Sequence, residues 1–92
     1  MLKPSIRPAT LADAPALLPL LEQLGYPECD AFVERRIGQL IAHPDAALWV
    51  AQAEGEVLGF ISLHFVPQLA RAGDFCRVSY LCVAEDARSL GI

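Results

Sequence analysis

Lysine occurs once in this 92-residue chain, at Lys3, and histidine only twice. Seven basic residues face eleven acidic ones, for a formal net charge of −4, and the one adjacent basic pair is Arg35-Arg36. Nucleic-acid binding needs clustered cations that displace phosphate counterions. The chain has no such cluster, and its acidic balance also disfavours an anionic membrane surface. Cysteine is sparse too, with Cys29, Cys76 and Cys82. Such an odd, thin set is not a disulfide framework. Cys76 and Cys82 fall in one extended segment, where a rise of about 3.3 Å per residue holds them roughly 20 Å apart. A disulfide spans Cα atoms only up to about 7 Å apart. There is no Cys-x-x-Cys, and neither His43 nor His64 stands at ligand spacing from a cysteine, so no metal is expected. Long apolar runs are missing as well. None nears the roughly 18 residues that cross a bilayer, and no apolar leader segment follows Lys3. The expectation is a cytoplasmic chain with three reduced, mostly buried thiols.

What is plentiful is apolar side chain. The composition is 54% hydrophobic and 20% charged, which excludes disorder for most of the chain. The length allows one small domain, and small domains bury the least surface per residue. So much apolar surface in so short a chain raises the question of whether the domain is whole.

Ser5-Ile6-Arg7 reads as a short strand stopped by Pro8. Thr10 can cap a helix, with Asp13 favouring its positive end. Ala14, Leu17, Leu18 and Leu21 keep helical spacing, Pro19 bends that helix, and Gly25 with Pro27 ends it. A second helix is predicted over 30–42, with Asp30 as N-cap and Val33, Ile37, Leu40 and Ile41 as its apolar stripe. Glu34, Arg35 and Gln39 face water, and His43 stands at the helix C-terminus, where a histidine suits the dipole. From Ala46 the period changes. Residues 47–53 form a strand, Glu54-Gly55 a tight hairpin turn, and 57–66 a nearly continuous apolar strand that calls for cover on both faces. Gly59 marks a bulge or a close backbone approach. A loop over 67–74 leads to a third long strand over 75–84. The order β-α-α-β-β-β makes an antiparallel meander covered by two helices. The edge of its last strand is expected to be unpaired and flanked by apolar surface, which favours association of copies.

The stretch from Val78 to Ile92 carries the chemistry. A strand ends at Leu81-Cys82-Val83, an acidic turn follows at Glu85-Asp86, and then come Arg88-Ser89-Leu90-Gly91-Ile92. A loop of this type ahead of a helix aims successive backbone N–H groups at one point, an anion site suited to phosphate or pyrophosphate. Glycine allows the backbone to approach the phosphate closely.

This stretch resembles the acetyl-CoA-binding segment of the GNAT superfamily of N-acetyltransferases: a strand with Leu-x-Val, an acidic turn, then Arg-x-x-Gly-x-Gly or Ala. Ile6-Arg7-Pro8-Ala9-Thr10 with Asp13 resembles the family's opening, Leu24-Gly25-Tyr26-Pro27 its turn between the first two helices, and residues 54–60 its hairpin. The resemblance covers the whole chain and somewhat more than half of a family domain. It implies an α+β fold of the three-layer sandwich type. Residues 1–92 would form the N-terminal, mostly antiparallel part of an acyl-CoA N-acyltransferase domain that is incomplete at its C-terminal half.

The resemblance also implies roles. Backbone groups of Leu81, Cys82 and Val83 would pair with pantetheine, and one N–H would polarise the thioester carbonyl. The amides from Arg88 through Ser89, Leu90 and Gly91 to Ile92 would hold the pyrophosphate. Acetyl-CoA would be the cosubstrate, without a metal, and acetyl would pass directly to the primary amine of a small molecule or peptide. Many members place a glutamate base where this chain has Ser79, so the base is unassigned; Ser79 can at most orient a water. The usual tyrosine acid would lie beyond Ile92. Tyr26 is the candidate acceptor contact. Tyr80 is read as a packed aromatic, His64 as a core or rim residue, and Cys82 as a bystander, since direct transfer needs no acyl-enzyme. Three readings follow. The chain is the N-terminal part of an N-acetyltransferase, inactive by itself; a non-catalytic, truncated or degenerate domain that associates or binds CoA weakly; or an unrelated α+β interaction module.

Overall fold

A computed structural model describes residues 4–84. Its elements are β1 (Ser5–Pro8), a single 3-10 turn (Leu11–Asp13), α1 (Ala14–Gln23), α2 (Val33–Ala42), β2 (Ala46–Ala53), β3 (Glu56–Val66) and β4 (Phe75–Val83). The strands form one antiparallel sheet in the order β1-β2-β3-β4. The α+β class and the meander expected from the sequence are both present.

Two local devices fix the entry into the helices. The Asp13 carboxylate accepts from both terminal nitrogens of Arg7, at 2.7 and 2.8 Å, and from the Thr10 N–H at 2.8 Å. Arg7 in turn donates from Nε to Gln52 Oε1 at 2.9 Å. Asp13 is therefore a buried ion-pair partner that ties β1 to the start of α1, a larger role than the dipole contact the sequence implied. Hydrogen bonds from Arg7 hold its carboxyl below the usual carboxylate range; the Thr10 N–H acts in the same direction and burial opposes both. At the other end of α1, Gly25 adopts φ +101°, a left-handed conformation that costs glycine little, and the helix stops there.

The second helix begins later than its sequence pattern implies. Cys29 O accepts from the N–H groups of both Phe32 (3.0 Å) and Val33 (2.8 Å), so residues 29–32 close a turn first and Phe32, not Asp30, occupies the N-cap. Val33 and Ile37 are buried as expected, whereas Ile41, in the last turn, is half exposed. The hairpin at Glu54-Gly55 has both residues at positive φ, +53° and +77°, as a two-residue turn between right-twisted strands requires.

Both helices pack on one face of the sheet. Leu17, Leu20, Val33 and Ile37 join Leu48, Val50, Phe60 and Cys82 in a single core. The expectation that β3 is covered on both faces is not met among the described residues. On the opposite face Trp49, Phe65, Val78 and Leu81 stay exposed, because α1 and α2 dock on the same side. All three cysteines are free thiols; Cys29 and Cys82 are buried, in line with the expectation of mostly buried cysteines, and Cys76 is exposed on β4. Among the described residues no helix is long and apolar enough to cross a membrane.

Candidate functional site

The site is built where β4 meets the helices. Among the described residues β4 pairs with β3 only, Gly59↔Val83, Phe60↔Cys82, Ile61↔Leu81 and Ser62↔Tyr80, and then the register shifts so that Leu63 faces Val78. Ser79 is the extra residue, a bulge that locally bends the strand. Its hydroxyl lies 2.8 Å from His64 Nδ1 on the neighbouring strand. Gly59 sets the spacing at the other end of the pair. A Cβ there would lie 2.7 Å from Cys82 O, so only glycine lets the two backbones approach this closely.

The three strand residues expected to meet a cofactor differ in side-chain position. Leu81 is exposed on the face away from the helices. Cys82 points into the core, its thiol donating to Leu20 O at 3.4 Å. Val83 O accepts from Gln23 Nε2 at 3.0 Å, and the same amide lies 3.5 Å from Cys82 Sγ. Gln23 thus ties the last turn of α1 to the end of β4. No sequence signal pointed to it, since a polar residue at a helix end has many uses. The phosphate-loop candidates Arg88, Ser89, Leu90, Gly91 and Ile92 lie outside the described residues.

Between the helices and this face of the sheet is a cavity of about 690 Å³. Its wall is mainly apolar, from Leu17 and Leu21 of α1, Val33, Ile37 and Leu40 of α2, and Leu48 and Phe60 of the sheet. Tyr26, delivered by the Gly25 turn and held by its N–H to Leu21 O at 2.9 Å, stands at this cavity. Tyr80 of β4 meets it edge to face, with ring centroids 5.7 Å apart at 87°. Both rings remain about half exposed, so Tyr80 is a wall residue and not the packed aromatic its sequence context implied. Periodicity puts Tyr80 on the same face as Cys82 but does not say whether that position is covered, so it could not separate the two roles. His64, Ser62, His43, Arg36 and Gln39 supply the polar part of the wall, and Arg36 donates to Gln39 Oε1 at 2.8 Å. His43 serves the chain locally, its Nδ1 accepting from the Asp45 N–H at 3.0 Å. No aspartate or glutamate lines the cavity, and no group of three metal-ligating side chains converges among the described residues.

Comparison with known proteins gives the same answer at two levels. The model of the acetyltransferase (GNAT) family matches residues 13–92. A GNAT family acetyltransferase of Staphylococcus aureus superposes with a TM-score of 0.85 at 19% identity, over 96% of this chain and 67% of that one. A transcriptional regulator of Bacillus halodurans C-125 gives 0.84 at 23% identity, over 98% and 66%. Glucosamine-6-phosphate N-acetyltransferase of Arabidopsis thaliana gives 0.82 at 20% identity, over 96% and 65%. At these identities the likeness is one of fold. The chain spans about two thirds of the length of these structures. No curated protein matches it in sequence.

Proposed function

The chain belongs to the acetyltransferase (GNAT) family, and from that premise we propose that it binds acetyl-CoA at the end of β4 and the residues after it, for direct transfer of acetyl to a primary amine held in the cavity. Backbone groups of Leu81, Cys82 and Val83 line the pantetheine path, and amides of Arg88–Ile92 take the pyrophosphate. A neutral amine nitrogen attacks the thioester carbonyl carbon. The carbonyl oxygen gains negative charge, which a backbone N–H of β4 stabilises. The C–S bond then breaks with its electron pair going to sulfur, the nitrogen loses the proton it carries in excess, the leaving thiolate takes up a proton, and the products are an amide and CoA. The buried Cys82 thiol, engaged with Leu20 O, is turned to the core, which favours direct transfer over an acyl-cysteine.

The observation that carries this reading is the position of β4. Among the described residues it is the last strand of the sheet, bulged at Ser79, and it supplies Tyr80 to the cavity wall three residues before Val83. A donor bound along the strand and an acceptor in the cavity would thus share one element.

The test is an amide-resolved NMR titration of the chain with acetyl-CoA. Saturable shifts are expected at Leu81–Val83 and Arg88–Ile92, with small changes in β1. Shifts that fail to saturate, or that cluster away from β4, would overturn the assignment.

A further inference from the structure

The cavity has an electrostatic character opposite to that of the chain. The whole chain carries a net charge of −4, yet among the described residues the cavity wall has no carboxylate, one guanidinium (Arg36) and two imidazoles (His43, His64). An acceptor with several ammonium groups would find no counter-ion there and would meet Arg36 instead. Burying an unpaired ammonium is costly, so such an acceptor is selected against by the wall itself. The aromatic pair Tyr26–Tyr80 and the aliphatic lining suit a flat or branched apolar body.

One polar group is placed to receive the nitrogen. His64 Nδ1 is engaged with Ser79 Oγ at 2.8 Å, and its Nε2 makes no hydrogen bond among the described residues. In the tautomer with the proton on Nδ1, that N–H donates to Ser79 and Nε2 presents a lone pair.

We propose that the cavity selects a monoamine with an apolar or aromatic body, and that His64 Nε2 takes the proton from its ammonium group. The inference rests on the acetyl-transfer reading for its purpose, but not for its geometry. The proton passes from R–NH3+ to Nε2 and leaves a neutral amine and an imidazolium. Ser79 Oγ continues to accept from Nδ1–H in both states. Ser79 is then a positioning residue and His64 the base.

The experiment is an NMR titration of the chain with 2-phenylethylamine and, separately, spermidine, with imidazole and tyrosine ring resonances as readouts. 2-Phenylethylamine is expected to saturate and to shift His64, Tyr26 and Tyr80. Spermidine is expected to bind at least about tenfold more weakly, and His64→Gln to weaken 2-phenylethylamine about tenfold, the scale of one charge-assisted hydrogen bond. Because His64→Gln could disturb the β3–β4 pair, Arg36→Glu on exposed α2 is the second variant, and it should narrow the gap by drawing spermidine in. Equal or tighter binding of spermidine by the unaltered chain, absence of a saturable shift at His64, or an Arg36→Glu variant that leaves the ratio unchanged would each overturn the proposal. An acetyl-CoA titration on the same sample reports on the Leu81–Val83 amides. Its failure removes the donor site and leaves the amine preference standing, so the two readings fail separately.

Discussion

The two faces of the sheet come from the same strands and behave in opposite ways. The row Val50–Phe60–Cys82 lies under the helices and is buried, while the adjacent row Trp49–Ile61–Leu81 faces the other way, with Trp49 37% and Leu81 59% exposed. Consecutive residues thus have different duties, as the two-residue period of a strand dictates. Burial energy lives on the helix face, and so does the cavity, whose wall is an extension of the same core. The difference shows that the proposed acceptor pocket and the stability of the fold share residues, while the exposed row can change without touching either.

Truncating the buried row is the strongest way to break that comparison. Phe60→Ala removes a ring that is 6% exposed and packed among Leu17, Leu48 and Val50. The cost should be about 3–5 kcal/mol, read as a fall in urea midpoint, and in a domain this small it threatens folding outright. A loss below about 1 kcal/mol would mean the helices do not seal this face as described.

Gly59→Val tests the spacing between β3 and β4. Its Cβ would lie 2.7 Å from Cys82 O, a backbone atom that cannot swing away, so β4 must shift. The expected destabilisation is about 2–3 kcal/mol, with faster hydrogen exchange at Tyr80–Val83 than at β1. Unchanged exchange in β4 would show that the close approach is relieved elsewhere.

Asp13→Asn acts at the far end of the sheet. It removes the carboxylate that holds Arg7 and the Thr10 N–H. Arg7 keeps a third of its side chain in water, so the loss should be about 2 kcal/mol, less than for a fully buried pair. The folded carboxyl is depressed below its ordinary value of 3.8. Its contribution is therefore complete above that value and fades as pH falls through the folded pKa. The gap between wild type and variant should narrow on acidification below about pH 4; a constant gap would assign the stability to shape and not to charge.

Much of this was legible in advance, for reasons that particular residues make plain. Gly25 and Glu54-Gly55 marked turns because positive φ is needed there, and both turns are where the chain reverses. The strand periods gave the meander, and Leu24-Gly25-Tyr26-Pro27 pointed to a ring that does stand at the cavity. What local pattern could not carry was register. The Ser79 bulge resets the register of the β4 residues before it, so that Leu63 faces Val78, and it brought His64 to the Ser79 hydroxyl. Gln23 was invisible for a related reason: its partner, Val83 O, is sixty positions away and belongs to the backbone. The start of α2 slipped because Asp30 looks like a cap, whereas Cys29 O accepts from the amides of Phe32 and Val33 and closes a turn first.

Leu81→Ala sharpens the comparison with the smallest effect. Leu81 is one residue from buried Cys82 and as apolar as any core residue, so sequence alone would rank its truncation with that of Phe60. Its 59% exposure says otherwise. Most of the side chain is already in water, so little transfer free energy is lost, and the vacated volume opens to solvent and leaves no cavity. The expected cost is within about 0.5 kcal/mol, measured in the same urea series as Phe60→Ala. A loss of about 2 kcal/mol or more, the scale of a buried leucine, would mean that something packs on this face in solution, and the contrast between the two rows would then be a difference in what covers them and not in whether they are covered.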